Sequence, residues 1–253
     1  MTDLAPYIAR GFPGSIDRLI AEVPVAGIDR VQAQSQVRLC AQTEPILYGS
    51  GFSPTVLRYR AGSRLQLERI VKPFAGLPPR QRVEAALWWV PQNVRHPHLA
   101  GDVRPDRALT EEELISSRVG WCNEQVRVFI ALCEVMEIPA RICFLYHRNT
   151  LCSHAASEVY LDANWAFFDV TFGVYVALPD GTLARATDLS GTCRELAHQA
   201  YRPSLEDYFS RMMPFVEDCP GWRSADRVDP RAGGDLLDTI GICNYVIEGV
   251  ETV

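Results

Sequence analysis

The hydrophobic positions that mark the clearest helix of the chain lie after Cys122. They recur at helical spacing, at Val126, Phe129, Ile130, Cys133 and Met136. The pattern predicts a helix from about Trp121 to Glu137 that ends before Pro139. Cys122 then lies in the first turn, where unpaired backbone N–H groups and the helix dipole favour a thiolate.

The chain before this helix is predicted to be mainly helical. Residues 14–47 are largely helical by their apolar spacing, whereas residues 56–71 suit a strand as well as a helix. A further helix begins at Pro78-Pro79, and a loop rich in proline and histidine follows at residues 91–107. A capping box then predicts a short helix at residues 111–117.

After the long helix, runs of aliphatic and aromatic residues predict strands. These strands are expected at residues 140–146, 155–161, 165–170 and 174–178. Two helices are expected at 192–200 and 204–213, and the chain after residue 214 has no readable pattern. Helices followed by a β-meander indicate an α+β fold.

This order of elements predicts a single domain over residues 1–253. Its parts are a helical N-terminal region at 1–80, a catalytic core at 110–178 and a C-terminal extension at 179–253. Neither an internal repeat nor an interdomain linker divides the sequence.

The composition is that of an ordinary globular protein and excludes several function classes. An apolar fraction of 47% and a net charge of −6 leave no basic stripe for binding nucleic acid. No apolar run is long enough for a membrane span, and the N-terminus lacks a secretory pattern. Eight cysteines without a C-x-x-C pair fit neither a zinc site nor a small disulfide framework. We therefore expect a reduced, cytoplasmic protein without nucleic-acid or membrane partners.

Three side chains, in chain order, supply the parts of a nucleophilic site. Cys122 opens the long helix, and His154 and Asp169 fall on the strands that follow it. The latter two are 15 residues apart (169 − 154), and a turn at 162–164 brings them onto neighbouring antiparallel strands. The carboxylate can then orient the imidazole, which serves the thiol as base and acid. A lone cysteine is more often a core residue, so the prediction depends on the joint pattern.

Several short motifs surround these residues. They are Gly120-Trp121-Cys122, Ile138-Pro139-Ala140-Arg141, Ser153-His154-Ala155, Trp165 and Asp169-Val170-Thr171. In this order they resemble the core of the transglutaminase-like superfamily, which has the papain-like cysteine-protease fold. The resemblance implies a nucleophile, Cys122, at a helix N-terminus packed on an antiparallel sheet that carries the base His154 and the orienting Asp169. Three positions depart from the family pattern, namely Glu137, Ala156 and Val170, which stand for glycine, tryptophan and proline.

A second resemblance concerns the segments 118–125 and 169–173. They are similar to the motifs of arylamine N-acetyltransferases, which use the same triad with an acyl-coenzyme A donor. Val119 stands where that family has a glycine, and no equivalent of its N-terminal F-E-N segment is present. The Ile-Pro-Ala-Arg motif therefore favours the transglutaminase-like interpretation.

The oxyanion donors are predicted only in part. The helix start supplies the backbone N–H of Cys122 as one donor. A second donor from upstream is Trp88, Trp89 or Gln92, although the two tryptophans suit the core of an apolar helix better. Trp121, next to the nucleophile, is a further candidate for substrate contact.

Other polar residues near these motifs have simpler interpretations. His96-Pro97-His98 looks like a fragment of a metal site, but no ligand pattern surrounds it, so we expect a loop and no metal. His147 is a rival base and is better interpreted as a surface residue. Glu124 lies in the first helical turn, where a carboxylate stabilises the helix.

The sequence as a whole predicts an enzyme that forms a thioester on Cys122 and passes the acyl group to water or an amine, without a cofactor. We expect a small-molecule or peptide acyl substrate, free or bound to a carrier protein and belonging to a biosynthetic pathway. The alternatives are a coenzyme A-dependent transferase and a non-catalytic binding protein on the same fold.

Overall fold

The computed structural model describes residues 37–39, 41, 44–49, 57–101, 106, 108–146, 153–190, 193–216, 239–245 and 247–252. The helices in these ranges are α1 (Glu44–Leu47), α2 (Leu65–Val71), α3 (Pro79–Asn93), α4 (Glu111–Ser117), α5 (Cys122–Val135) and α6 (Arg194–Val216). The strands are β1 (Val37–Leu39), β2 (Leu57–Tyr59), β3 (Ala140–Tyr146), β4 (Ser153–Leu161), β5 (Asn164–Asp169), β6 (Val174–Tyr175), β7 (Thr239–Asn244) and β8 (Val250–Thr252). Short 3-10 turns lie at Lys72–Phe74, Pro97–Leu99 and Ala186–Ser190.

The described strands form two antiparallel sheets. The larger sheet has the order β1-β7-β3-β4-β5-β6, and β2 pairs with β8 in a separate two-stranded sheet. Strands β3 to β6 follow one another as a meander, and β7 returns from the C-terminal part of the chain to pair with β3. Helices before a meander were predicted, and the α+β class is confirmed.

Helix α5 is the centre of the hydrophobic core. Every residue from Glu124 to Val135 is buried. The helix packs on β3 and β4 on one side and on α2, α3 and α4 on the other. This full burial explains why apolar residues occur all round the helix rather than on one stripe.

Side chains of the sheet alternate between two cores. Along β3, Ile142 and Phe144 face α5, whereas Cys143 and Leu145 face the opposite core. The opposite core also contains Tyr201 of α6. Period-two alternation with apolar residues on both faces is the pattern of a sheet covered on both sides.

The arginine of the Ile-Pro-Ala-Arg motif has a structural role in the sheet. Arg141 lies opposite Glu158 on β4, and its Nε and Nη2 donate to Glu158 Oε2 at 2.8 and 2.6 Å. Tyr48 Oη and the backbone N–H of Ala186 donate to the other carboxylate oxygen. The guanidinium also stacks over the ring of Trp165 at 3.9 Å. Hydrogen bonds therefore satisfy both the guanidinium and the carboxylate of this fully buried ion pair.

Several predicted elements are confirmed and others need correction. The helix at 111–117 and the strand at 140–146 have the predicted bounds. The loop predicted from residue 91 begins later, because helix α3 continues through Pro91 to Asn93. Pro91 lies in the last turn, where the Val94 N–H still bonds to the Val90 carbonyl at 2.7 Å. The two helices expected at 192–200 and 204–213 are one helix, α6, which contains Pro203.

The two ends of the chain differ most from the prediction. β1 is a strand inside the segment 14–47 that was predicted to be largely helical, whereas β2 lies in the segment 56–71 that suited a strand as well as a helix. Both strands pair with partners from the C-terminal part of the chain. Most of the predicted helix at 14–47 lies outside the described residues. The C-terminal extension contributes β7, which lies inside the larger sheet between β1 and β3.

In the part of the chain that the structure describes, every helix is too short or too polar to span a lipid bilayer.

Candidate active site

Cys122 occupies the first position of α5. The residue before it, Trp121, is extended, and its backbone N–H donates to the Glu124 carboxylate at 3.0 Å. Glu124 therefore caps the helix start, as the sequence predicts. Among the described free cysteines, Cys122 is half-buried while Cys133, Cys143, Cys193 and Cys243 are buried. The sulfur at the helix start is thus the accessible one of this group.

Gly120 is required by close packing next to the nucleophile. A Cβ atom at this position would lie 2.8 Å from Glu124 Cβ and 2.9 Å from Val94 Cγ1. Both distances are shorter than real Cβ contacts, so any side chain here would push the capping residue or α3 away. The glycine of the Gly-Trp-Cys motif lets the chain enter α5 against the end of α3.

His154 and Asp169 meet across neighbouring strands. Because β4 and β5 are antiparallel with Ser157 opposite Phe168, the two residues lie on adjacent strands, as their spacing predicts. His154 Nε2 and Asp169 Oδ2 are 2.8 Å apart. Asp169 is fully buried, and its second oxygen accepts the backbone N–H of Phe172 at 3.3 Å.

The electrostatics of His154 favour the imidazolium. Burial lowers the pKa of its ring, but the Asp169 carboxylate and hydrogen bonds to Asp169 and Cys122 outweigh it and raise the pKa to about 10. Since Nε2 faces Asp169, Nδ1 is the nitrogen left for the Cys122 side chain. The ring of Phe172 packs against that of His154, with centroids 5.5 Å apart. The structure therefore brings the three predicted residues together in the order thiol, imidazole, carboxylate.

Tyr201 is a member of this hydrogen-bond network that the sequence did not indicate. Its Oη donates to Asp169 Oδ2 at 2.7 Å from helix α6. Residue 201 falls between the two helices that the sequence predicted, so no motif singled it out. Burial and the neighbouring Asp169 carboxylate raise the pKa of Tyr201 well above its ordinary value, which keeps it a donor.

Gln125 links the start of α5 to the loop that follows β5. Its side-chain Nε2 donates to the Val94 carbonyl at 2.8 Å, and its Oε1 accepts the Thr171 hydroxyl at 2.7 Å. This pair holds the loop after Asp169 against the helix that begins at Cys122. The threonine of the Asp-Val-Thr motif was the only sequence signal for this contact.

The upstream candidates for oxyanion donors occupy different environments. Trp88 is 51% exposed, and its ring lies against Gly173, where φ is +64°. Trp89 is half-buried and packs against the core, as its alternative interpretation predicts. Gln92 is exposed, and Trp121 is half-buried and packs against both His96 and His98. Their roles toward a substrate stay predictions.

The remaining histidines have separate outcomes. His96 and His98 pack on Trp121, and the described residues contain no cluster of three or more potential ligands that could hold a metal ion. His147, the rival base, lies outside the described residues.

A cavity of 590 Å³ lies at the opposite end of β5 from Asp169. Its lining includes Asn164, Trp165, Asp180 and Arg185, and none of the three candidate catalytic residues takes part. The cavity is therefore separate from the candidate active site.

Residues 70–170 match the family model of the transglutaminase-like superfamily, and this segment contains Cys122, His154 and Asp169. The match confirms the resemblance carried by the motifs over this segment. It supports a cysteine-dependent enzyme.

Among solved structures, the chain is similar to a candidate cysteine protease from Cytophaga hutchinsonii, with 28% sequence identity. The alignment covers 53% of this chain and 43% of that one, with a TM-score of 0.37. The chain thus spans less than half the length of that protein. No curated protein matches the chain.

Proposed function

We propose that the protein is a cysteine-dependent acyl-transfer enzyme with Cys122 as nucleophile. The observation that carries the proposal is the position of His154, which lies between the Cys122 side chain and the buried Asp169 carboxylate. An imidazole held in this way can both activate a thiol and return a proton to a leaving group. The match to the transglutaminase-like model supports the same chemistry.

The first half-reaction forms a thioester. The Cys122 thiolate attacks the carbonyl carbon of an amide, ester or thioester, and a carbon–sulfur bond forms. The backbone N–H of Cys122, in the first turn of α5, donates to the oxyanion because it has no partner within the helix. The tetrahedral intermediate collapses as the His154 imidazolium gives its proton to the leaving nitrogen, oxygen or sulfur.

The second half-reaction transfers the acyl group. Neutral His154 takes a proton from water or an amine, which attacks the thioester carbonyl. Collapse of the second intermediate breaks the carbon–sulfur bond and restores the thiolate and the imidazolium. Asp169 keeps the ring oriented through both steps, and Tyr201 and the Phe172 N–H hold the carboxylate.

The acyl substrate is a small molecule or a peptide, free or bound to a carrier protein, in a cytoplasmic pathway. The half-exposed Cys122 and the aromatic ring of Phe172 beside His154 define the surface that such a substrate meets. No cofactor enters the two half-reactions.

The test uses the activated ester p-nitrophenyl acetate as acyl donor. The proposal predicts a burst of nitrophenolate equal to the protein concentration, followed by slower turnover that hydroxylamine accelerates by accepting the acyl group. The Cys122→Ala variant should show neither phase. An equal burst from Cys122→Ala would contradict the proposal, and no burst from the wild type would favour a non-catalytic binding protein.

A parallel reaction with acetyl-coenzyme A distinguishes the alternative donor. We expect no acetyl adduct on Cys122 by intact-protein mass spectrometry under conditions in which the activated ester acylates it. Rapid acetylation by acetyl-coenzyme A would instead assign the protein to the coenzyme A-dependent transferases.

A further inference from the structure

Gln125 lies beside the nucleophile on helix α5. It follows Cys122 by three positions, and side chains at this spacing are neighbours on a helix surface. Gln125 is only 1% exposed, so its amide needs hydrogen-bond partners within the protein. Its Nε2 donates to the Val94 carbonyl at 2.8 Å, which fixes the orientation of the amide. The amide oxygen, Oε1, is therefore a fixed and buried acceptor next to the start of the helix that carries Cys122.

The donor to this oxygen belongs to the segment that carries the acid of the candidate triad. Thr171 Oγ1 donates to Gln125 Oε1 at 2.7 Å. Thr171 follows Asp169 by two positions, and the next residue, Phe172, donates its backbone N–H to Asp169 Oδ1 at 3.3 Å. Thr171 is thus part of the turn that closes on the Asp169 carboxylate. One hydrogen bond joins this turn to the first turn of α5.

The nucleophile reaches the site on a different element from the base and the acid. His154 and Asp169 lie on adjacent strands of one sheet, with Nε2 and Oδ2 2.8 Å apart, whereas Cys122 is carried by α5. The distance between the sulfur and the imidazole therefore depends on how the start of α5 lies against the ends of these strands. A hydrogen bond between the two segments fixes this arrangement more narrowly than apolar packing does, because it is directional.

We propose that the hydrogen bond between Gln125 and Thr171 is the positioning contact that sets Cys122 against the pair of His154 and Asp169. The inference rests on the proposed acyl transfer, and both residues act through the triad rather than on the substrate. Loss of the Thr171 hydroxyl leaves a buried amide oxygen without its donor, and a shift of the two segments relieves this cost. A misplacement of about 1 Å is enough to slow a reaction by about 100-fold.

The test measures the rate of the nitrophenolate burst with p-nitrophenyl acetate. Thr171→Val removes the hydroxyl and keeps the shape of the side chain, whereas Thr171→Ser keeps the hydroxyl. We expect Thr171→Val to slow the burst by about 10- to 100-fold, because the sulfur and the imidazole are no longer aligned. Thr171→Ser should retain a rate close to that of the wild type.

A second variant removes the same contact from the helix side. Gln125→Met keeps the length of the side chain but has no amide oxygen, so it should also slow the burst. If the hydrogen bond itself positions Cys122, Thr171→Val should cause no further loss when it is added to Gln125→Met. Slowing factors that multiply in the double variant would contradict the proposal, because the two side chains would then act independently.

The matched control is Ser157→Ala, which also removes a buried hydroxyl near the triad. Ser157 Oγ donates to the Phe168 carbonyl at 3.0 Å, so this bond lies within the sheet and does not join it to α5. Urea unfolding should show that Ser157→Ala and Thr171→Val are destabilised to a similar extent. Only Thr171→Val should react slowly.

Each contrary result has a distinct meaning. Equal burst rates for Thr171→Val and the wild type would overturn the positioning role and leave the proposed function intact. Equal slowing by Ser157→Ala, or by Thr171→Ser, would also overturn it, because the loss would then follow from general destabilisation. Failure of the wild type itself to be acylated at Cys122 would overturn the proposed function and this inference together.

Discussion

Replacing Asp169 by asparagine should lower the reactivity of Cys122 at mildly acidic pH. The substitution keeps the size of the side chain and can keep a hydrogen bond to His154, but it removes the buried negative charge. Asp169 makes the largest favourable contribution to the raised pKa of His154, against the opposing effect of burial. Without it, burial should leave a neutral imidazole, which no longer holds a thiolate beside it.

The expected size of the effect follows from the pKa of His154. A rise from 6.5 to about 10 favours the imidazolium by about 5 kcal/mol, at about 1.4 kcal/mol for each pH unit. This is far more than is needed to keep the ring protonated at pH 6 in the wild type. In the variant the imidazolium beside the sulfur is no longer favoured, so the labelling rate at pH 6 should fall by about 10- to 100-fold.

The assay is the rate of iodoacetamide labelling at Cys122 between pH 5.5 and 9, followed by intact-protein mass spectrometry. The wild type should label faster than Asp169→Asn at pH 6. The difference between the two proteins should become smaller as the pH approaches that at which His154 loses its proton in the wild type.

A matched control is Tyr201→Phe, which removes one hydrogen bond from Asp169 and keeps its charge. We expect it to change the labelling rate at pH 6 by no more than a few-fold. An unchanged pH profile in Asp169→Asn would refute the reasoning, because the buried charge would then have no part in the reactive pair.

Three further predictions concern stability. The pKa of His154 is higher in the folded than in the unfolded chain, so protonation of this residue stabilises the fold fully below pH 6.5, and the stabilisation is lost as pH rises toward 10. Urea unfolding should therefore show that the free energy of unfolding falls by a few kcal/mol over this range. The same fall should be absent in Asp169→Asn. Glu158→Gln leaves the fully buried Arg141 without its partner charge and should lower the free energy of unfolding by about 3–5 kcal/mol, and a loss under about 1 kcal/mol would contradict this. Gly120→Ala introduces a Cβ that overlaps Glu124 and Val94, so it should destabilise the protein by about 1–3 kcal/mol in the same assay and slow labelling of Cys122.

Local patterns were sufficient to predict the centre of the fold. The helix that begins at Cys122 and the strands after it have strong periodicity and clear ends, such as Pro139 and the turn at 162–164. The spacing of His154 and Asp169 also predicted that the two side chains lie close together across β4 and β5. The reason is that a short turn between antiparallel strands determines their register.

Long-range pairings were not predictable in the same way. Strand β7 pairs with β3 about 100 residues earlier in the chain, and β1 pairs with β7. Such partners leave no short-range pattern in the sequence. Residues 37–39 were therefore predicted as part of a helix, and residues 56–71 suited a strand as well as a helix. The contact of Tyr201 with Asp169 was not predicted for the same reason, because Tyr201 lies 32 residues later in the chain, on helix α6.

His96 shows that a correct prediction of a loop does not tell where the loop lies in the fold. The sequence singled out His96-Pro97-His98 for its ligand-like residues and assigned it to a loop. The backbone bridge between Arg95 and Val119 is what brings this loop to the nucleophile, and a bridge of two residues leaves no periodic signal.

The most direct test of the account is to find where the acyl group is attached. Wild-type protein and Cys122→Ala would be mixed with p-nitrophenyl acetate, quenched in acid within the burst phase, digested and mapped by mass spectrometry. The account predicts an acetyl thioester on the peptide that contains Cys122 and none on the variant. An acetyl group on another residue, or full turnover by Cys122→Ala, would contradict it.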